Sequence, residues 1–173
     1  FDTLTKDAKI QKALQFMEED QDTVIDKQIE LTLIPAPTNH EQKKAARLLE
    51  MFKEEGLTDC HIDEYGNCVG IRKGTGGGKT VLVEGHMDTV FPLDTKLEIV
   101  REDGFIKCPG IVDDTRGCAT VLSTIRALNA AGIQTKGDIQ FVGTVQEEGT
   151  GALKGMQYYV NHHPELDASI SVD

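Results

Sequence analysis

The chain has 173 residues, of which 39% are apolar and 27% charged, a balance that suits one globular domain with a real core rather than a disordered segment. Its formal net charge of −11, from 18 basic and 29 acidic residues, repels phosphate backbones and excludes nucleic acid as a partner. No apolar run approaches the roughly 20 residues that a membrane helix needs, so no membrane partner is expected either.

The N-terminal stretch reads as helical. Ile10, Ala13, Leu14 and Met17 have the three-and-four spacing of a buried stripe. A second helical stretch runs from Asp22 to Ile34, where Pro35 and Pro37 end it. In "TNHEQKKAARLLEMFKEEG", Thr38 and Glu41 have capping-box spacing, Ala45, Leu48, Leu49 and Phe52 form the inward face, and Gly56 suits the stop. "HIDEYGNCVGIRK" then reads as two strands around Gly66-Asn67. The run Gly74-Thr75-Gly76-Gly77-Gly78 comes next. A phosphate-binding loop needs glycine five positions before its Gly-Lys pair, and Lys73 stands there. The run also opens a strand, not a helix, so it reads as a hairpin connection.

"TVLVEG" is short, apolar and unalternating, as a strand covered on both faces would be. "KLEIVREDGFIKC" reads as a hairpin around Asp103-Gly104. "TRGCATVLSTIRALNAAG" is a helix with Leu122, Ile125 and Leu128 inward; "DIQFVGTV" is a strand, "GALKGMQYYVNHH" a helix and "ASISVD" a final strand. This alternation predicts an α/β fold, a mostly parallel central sheet flanked by helices. Cys60, Cys68, Cys108 and Cys118 form no C-x-x-C pair and read as reduced thiols, mostly core filler. A cytoplasmic location is expected; the chain starts at Phe1 rather than Met, which leaves room for a leader removed in maturation.

Three strand ends carry ionisable residues: His86 and Asp88, then Glu147 and Glu148, then Asp173. In open sheets of this kind ligands sit beyond the carboxyl ends of the strands. Histidine and aspartate two apart at a strand end point the same way, and a carboxylate can hold the second ring nitrogen of a metal-ligating imidazole. Asp113 and Asp114 precede a helix, where acids also interact well with the dipole; alternatively one carboxylate bridges two cations. Two neighbouring acids such as Glu147 and Glu148 can divide labour, one binding metal and one accepting a proton from water. Gaps of about 25 to 35 residues between these acids each hold one helix or hairpin plus a strand.

With these residues in place, the sequence resembles the di-zinc metallopeptidase family that includes glutamate carboxypeptidase, peptidase T, acetylornithine deacetylase and aminoacylase. "GHMDTV", "GIVDDTRG", "QEEGTGALKG" and "SVD" match its four motifs in order, and the peptidase T branch is nearest in look. The resemblance implies two divalent metal ions, zinc being expected. His86, Asp113 and Asp173 would hold the first and Asp113 and Glu148 the second, with Asp113 bridging. Asp88 would orient His86, Glu147 would be general base and then general acid, and the Asp113–Asp114 peptide would be cis. The implied reaction is hydrolysis of an amide or peptide bond in a small peptide or N-acyl amino acid. A deacetylase or desuccinylase within the family, and a non-catalytic metal- or peptide-binding domain, are the alternatives. Many relatives carry lysine after the Asp-Asp pair, where this chain has Thr115 and Arg116. Relatives are also longer. Residues 1–173 would then be the N-terminal part of a catalytic domain, without the lid or dimerisation domain and the C-terminal segment that brings a further histidine. The second metal site would be incomplete in this chain, the isolated chain inactive, and homodimerisation a property of the absent domain. His40, His61, His162 and His163 fit no motif.

Overall fold

The computed structural model describes residues 3–173. After a 3-10 turn at Leu4–Lys6 come α1 (Ala8–Glu19), α2 (Gln21–Thr32) and α3 (Gln42–Glu54), then β1 (Thr58–Ile62) and β2 (Cys68–Arg72). β3 (Thr80–His86), β4 (Val100–Glu102), β5 (Phe105–Lys107) and α4 (Thr115–Ala130) follow. The chain continues with β6 (Ile139–Thr144), a 3-10 turn at Gly149–Gly151, α5 (Lys154–His162) and β7 (Leu166–Ser171). Among the described residues no helix is long and apolar enough to cross a membrane.

The five-stranded sheet has the order β1-β2-β6-β3-β7. β3 pairs in parallel with β6 on one side and β7 on the other, while β2 is antiparallel to both β1 and β6. Four of the strands therefore run one way and β2 runs against them. β4 and β5 form the separate hairpin expected around Asp103-Gly104.

Both faces of the sheet are covered, which explains the unalternating apolar run in β3. Val83 and Phe141 face one side and pack with Leu48, Met51 and Phe52 of α3 and Val121, Leu122 and Ile125 of α4. Leu82 and Val142 face the other and pack with Tyr159 of α5. α1 and α2 lie against α4. The Arg126 guanidinium of α4 reaches Asp20 at 2.6 and 2.8 Å and Glu55 at 2.7 Å, tying these layers together.

Three local expectations are corrected. Leu14 is 48% exposed rather than buried; it lines an open hollow of about 460 Å³ bounded by residues of α1, α2 and α4. Thr38 and Glu41 make no capping box: α3 has no side-chain cap bond at Glu41, and both side chains turn to distant partners. The glycine run is not a hairpin, because β6 lies between β2 and β3. It crosses the start of β6, where the amides of Gly74, Thr75 and Gly76 donate to Asp138, Thr135 and Lys136. All four cysteines are free thiols, with Cys68 and Cys118 buried as core residues.

Candidate metal centre

β3, β6 and β7 are parallel neighbours, so their carboxyl ends open on one rim. His86 closes β3, Glu147 and Glu148 lie just past β6, and Asp173 lies just past β7. Asp113 reaches the same rim from the turn before α4, across a cis Asp113–Asp114 peptide.

His86 is the centre of the cluster. Its Nδ1 lies 3.1 Å from the Asp88 carbonyl and 3.4 Å from the Asp88 carboxylate. In the neutral ring Nδ1 then carries the proton, leaving the Nε2 lone pair for a cation that takes the place of the second proton. Nε2 is buried and, among the described residues, has no hydrogen-bond partner. It faces Asp113 Oδ1 at 3.2 Å and Glu147 Oε2 at 3.8 Å. Ligand atoms gather in two overlapping groups, His86 with Asp113 and Asp173, and His86 with Glu147 and Glu148. His86 is common to both. The Asp113 side chain is 64% exposed, so the acid cluster opens to solvent on that side.

The electrostatics are those of crowded acids. Burial pulls the His86 imidazole down, but the Asp88 bond and the charges of Asp114, Asp88 and Glu147 carry it up to about 9. Burial and then the Asp113 charge push Glu148 up. An imidazole with one free nitrogen among carboxylates is a donor set that divalent zinc, manganese or cobalt accepts, and a cation there offsets the mutual repulsion. The residues present therefore fit a first cation on His86, Asp113 and Asp173, as the sequence pattern implies, whereas the group that includes Glu148 is completed by His86 and Glu147 rather than by Asp113.

Asp88 does more than face His86. It is fully buried, and its Oδ1 accepts from the Glu147 amide at 2.9 Å. Its Oδ2 accepts from the Glu148 amide at 3.0 Å and the Thr38 hydroxyl at 2.8 Å. Asp114 is likewise buried; it caps α4 by accepting from Gly117 N at 2.7 Å and holds the His86 amide at 2.9 Å. Burial pushes its carboxyl up to about 7, against the pull of His86 and these amides.

Sequence reasoning missed Thr38, Lys44 and the part played by Asp114. Lys44 is 2% exposed, and its ammonium lies 3.4 Å from the Thr115 hydroxyl. Burial pulls its pKa down, while Cys118, Asp88, Asp114 and Glu41 act to raise it. A buried lysine thus stands beside the start of α4 even though residue 115 is threonine. Arg116 turns away and donates to Gln28 at 3.1 Å. The other histidines take no part: His162 stacks on Tyr158 and His163 on Tyr159, each at 4.0 Å, and His40 and His61 are exposed. A cavity of about 150 Å³ adjoins the cluster, lined by Glu84, His86, Glu147, Leu153, Met156 and Asp173 among others.

Known proteins resemble the chain in sequence and in fold. The model of peptidase family M20/M25/M40 matches residues 82–172. Succinyl-diaminopimelate desuccinylase of Corynebacterium glutamicum is 30% identical over 132 residues, covering 76% of this chain and 35% of that protein. The crystal structure of aminopeptidase PepT from Bacillus cereus superposes with a TM-score of 0.74 at 25% identity, covering 88% of this chain and 43% of that one. A tripeptidase structure from Staphylococcus aureus gives a TM-score of 0.70 at 28% identity, covering 87% and 42%. The chain spans about a third of the length of the curated relatives it matches.

Proposed function

Because this chain belongs to peptidase family M20/M25/M40, we propose that it contributes the metal-binding core of a hydrolase acting on small peptides or N-acyl amino acids. The observation that carries the reading is the buried, unpartnered Nε2 of His86 facing Asp113 and Glu147. In this reading His86, Asp113 and Asp173 hold one divalent cation, and Asp113 with Glu148 contributes to a second, with zinc the proposed metal. When bound, such cations supply Lewis acidity, lowering the pKa of water and polarising a carbonyl.

The protein's own groups then have distinct tasks. Asp88 fixes the tautomer of His86 and, through two amides, the direction of the Glu147-Glu148 pair. The Glu147 side chain is 30% exposed and, among the described residues, takes no hydrogen bond from another side chain, so its carboxylate is available to accept a proton from water and return it to the leaving nitrogen. Substrate would enter from the exposed Asp113 side. The relatives' names divide between peptidases and an N-acyl hydrolase, and both substrate classes belong in the test. The short coverage of the relatives supports a further part of the proposal: residues 1–173 are the N-terminal portion of a catalytic domain whose lid, second-metal histidine and dimer contacts lie in other sequence. The reading also keeps the protein in the cytoplasm.

The test is Glu147→Gln in the full-length protein, assayed on a panel of dipeptides and N-acyl amino acids with metal content measured in parallel. Turnover is expected to fall by about 10²- to 10⁴-fold with metal content unchanged. A Gln variant that keeps its rate removes Glu147 from the chemistry.

A further inference from the structure

Glu41 is a buried acid that the helix following it does not use. It is 2% exposed, and no side-chain cap bond joins it to α3. One oxygen, Oε1, accepts instead from the Asn39 amide at 3.0 Å and from the Gln146 amide at 3.1 Å. The next two amides, those of Glu147 and Glu148, end on Asp88. Three consecutive N–H groups are thus held by two buried carboxylates from separate elements, one preceding α3 and one following β3. The second and third of these amides belong to the pair of glutamates at the metal centre.

Burying a carboxyl group is costly unless hydrogen bonds compensate, and here one oxygen takes two amide donors. The segment needs such support. Gln146 has φ of 56°, a conformation that a residue with a Cβ seldom adopts without external restraint. Its side-chain oxygen is also held, accepting from the Tyr65 hydroxyl at 3.0 Å. Lys44, one turn along α3, places a buried amine on the same stripe as Glu41.

We propose that Glu41 is a positioning residue that, with Asp88, sets the direction in which Glu147 and Glu148 face the metal centre. The proposal deepens the function assigned above and rests on it for its kinetic part alone. A displacement of about 1 Å at a reacting group is enough to cost about 10²-fold in rate.

The test compares Glu41→Gln, Glu41→Leu and Glu41→Asp with the unaltered full-length protein loaded with Zn²⁺. The first readout is amide hydrogen exchange across residues 145–149. Leu should speed exchange at residues 146–148 by about tenfold or more and leave β6 unchanged; Gln, whose amide oxygen can accept both bonds, should stay within about threefold of the unaltered protein. The second readout is kinetics on the dipeptide and N-acyl amino acid panel. Leu should lower kcat by about 10²-fold with KM within about threefold, and Gln should restore most of kcat. Unchanged protection in the Leu variant, or equal losses in Gln and Leu, overturns the proposal. Should Leu not fold, Asp decides: it keeps the charge but withdraws the oxygen by one methylene, so full protection of the Gln146 amide in that variant also overturns it. Failure of the functional reading shows separately, as turnover that survives Glu147→Gln, and leaves the exchange result standing.

Discussion

Asp88→Asn isolates what the carboxylate at the end of β3 does, because it changes almost no volume. In the native side chain Oδ1 serves the Glu147 amide at 2.9 Å, and Oδ2 serves the Glu148 amide at 3.0 Å and the Thr38 hydroxyl at 2.8 Å. An asparagine has one oxygen. Placed at Oδ2 it keeps two donors satisfied, but its NH₂ then meets the Glu147 amide and the His86 Nδ1 side, donor against donor. Placed at Oδ1, it sets the NH₂ against the Glu148 amide instead. Asp88 is fully buried, so no water replaces the lost acceptor. One charge-assisted bond lost, at about 1.5–3 kcal/mol, plus a buried N–H left unsatisfied, at about 1–3 kcal/mol, makes about 4 kcal/mol a fair central value. Urea unfolding of the metal-free protein measures it. Zn²⁺ affinity, measured by calorimetry against a competing chelator, should fall by about 10- to 100-fold. A stability loss under about 0.5 kcal/mol together with unchanged Zn²⁺ affinity would refute the assignment of Asp88 as the organiser of this loop.

Two further outcomes follow from the packing. Arg126→Met should cost about 2 kcal/mol by urea unfolding, since it strands the Asp20 carboxylate, whose side chain is 8% exposed. The Arg126 bond holds the Asp20 carboxyl below its ordinary value of 3.8, so its contribution is present above that pH and fades as pH falls through the lower folded value; the Met variant should lose this acid limb, and an unchanged acid profile would count against the pairing. In Gly117→Ala the new Cβ would sit 2.1 Å from Asp114 Oδ1 and 2.4 Å from the Val172 carbonyl, forcing α4 away from the chain that leads to Asp173. A loss of about 3 kcal/mol is expected, and thermal unfolding indistinguishable from that of the unaltered protein would show that the crowding is relieved elsewhere.

The parts of this molecule that are locally encoded were legible. The uniform apolar run of β3, the stripe of α4 and the acids just past β3, β6 and β7 carry their structural meaning within a few residues of themselves. What surrounds the metal centre was not, because its partners are remote in sequence. Thr38 bonds a residue 50 positions away, and Glu41 one 105 away. Their local spacing matches a helix cap equally well, and only tertiary contact decides between the two. A signal was nonetheless present. Glu41 and Lys44 lie on the same helical stripe as Ala45 and Leu48, and charges on a buried stripe must answer to something. The glycine run misled for a related reason: a short connection suggests adjacent strands, yet β6, made later, is inserted between β2 and β3.

That insertion has a consequence for biosynthesis. β3 leaves the ribosome well before β6 and β7, the two strands that flank it. Until those later segments emerge, Val81, Leu82 and Val83 have no neighbour on either side and must wait as an open, sticky ribbon. Co-translational chaperone capture should therefore peak after residue 86 has cleared the exit tunnel and subside once residue 171 has done so. The imidazole at the tip of β3 gains its acidic companions in that same closing interval.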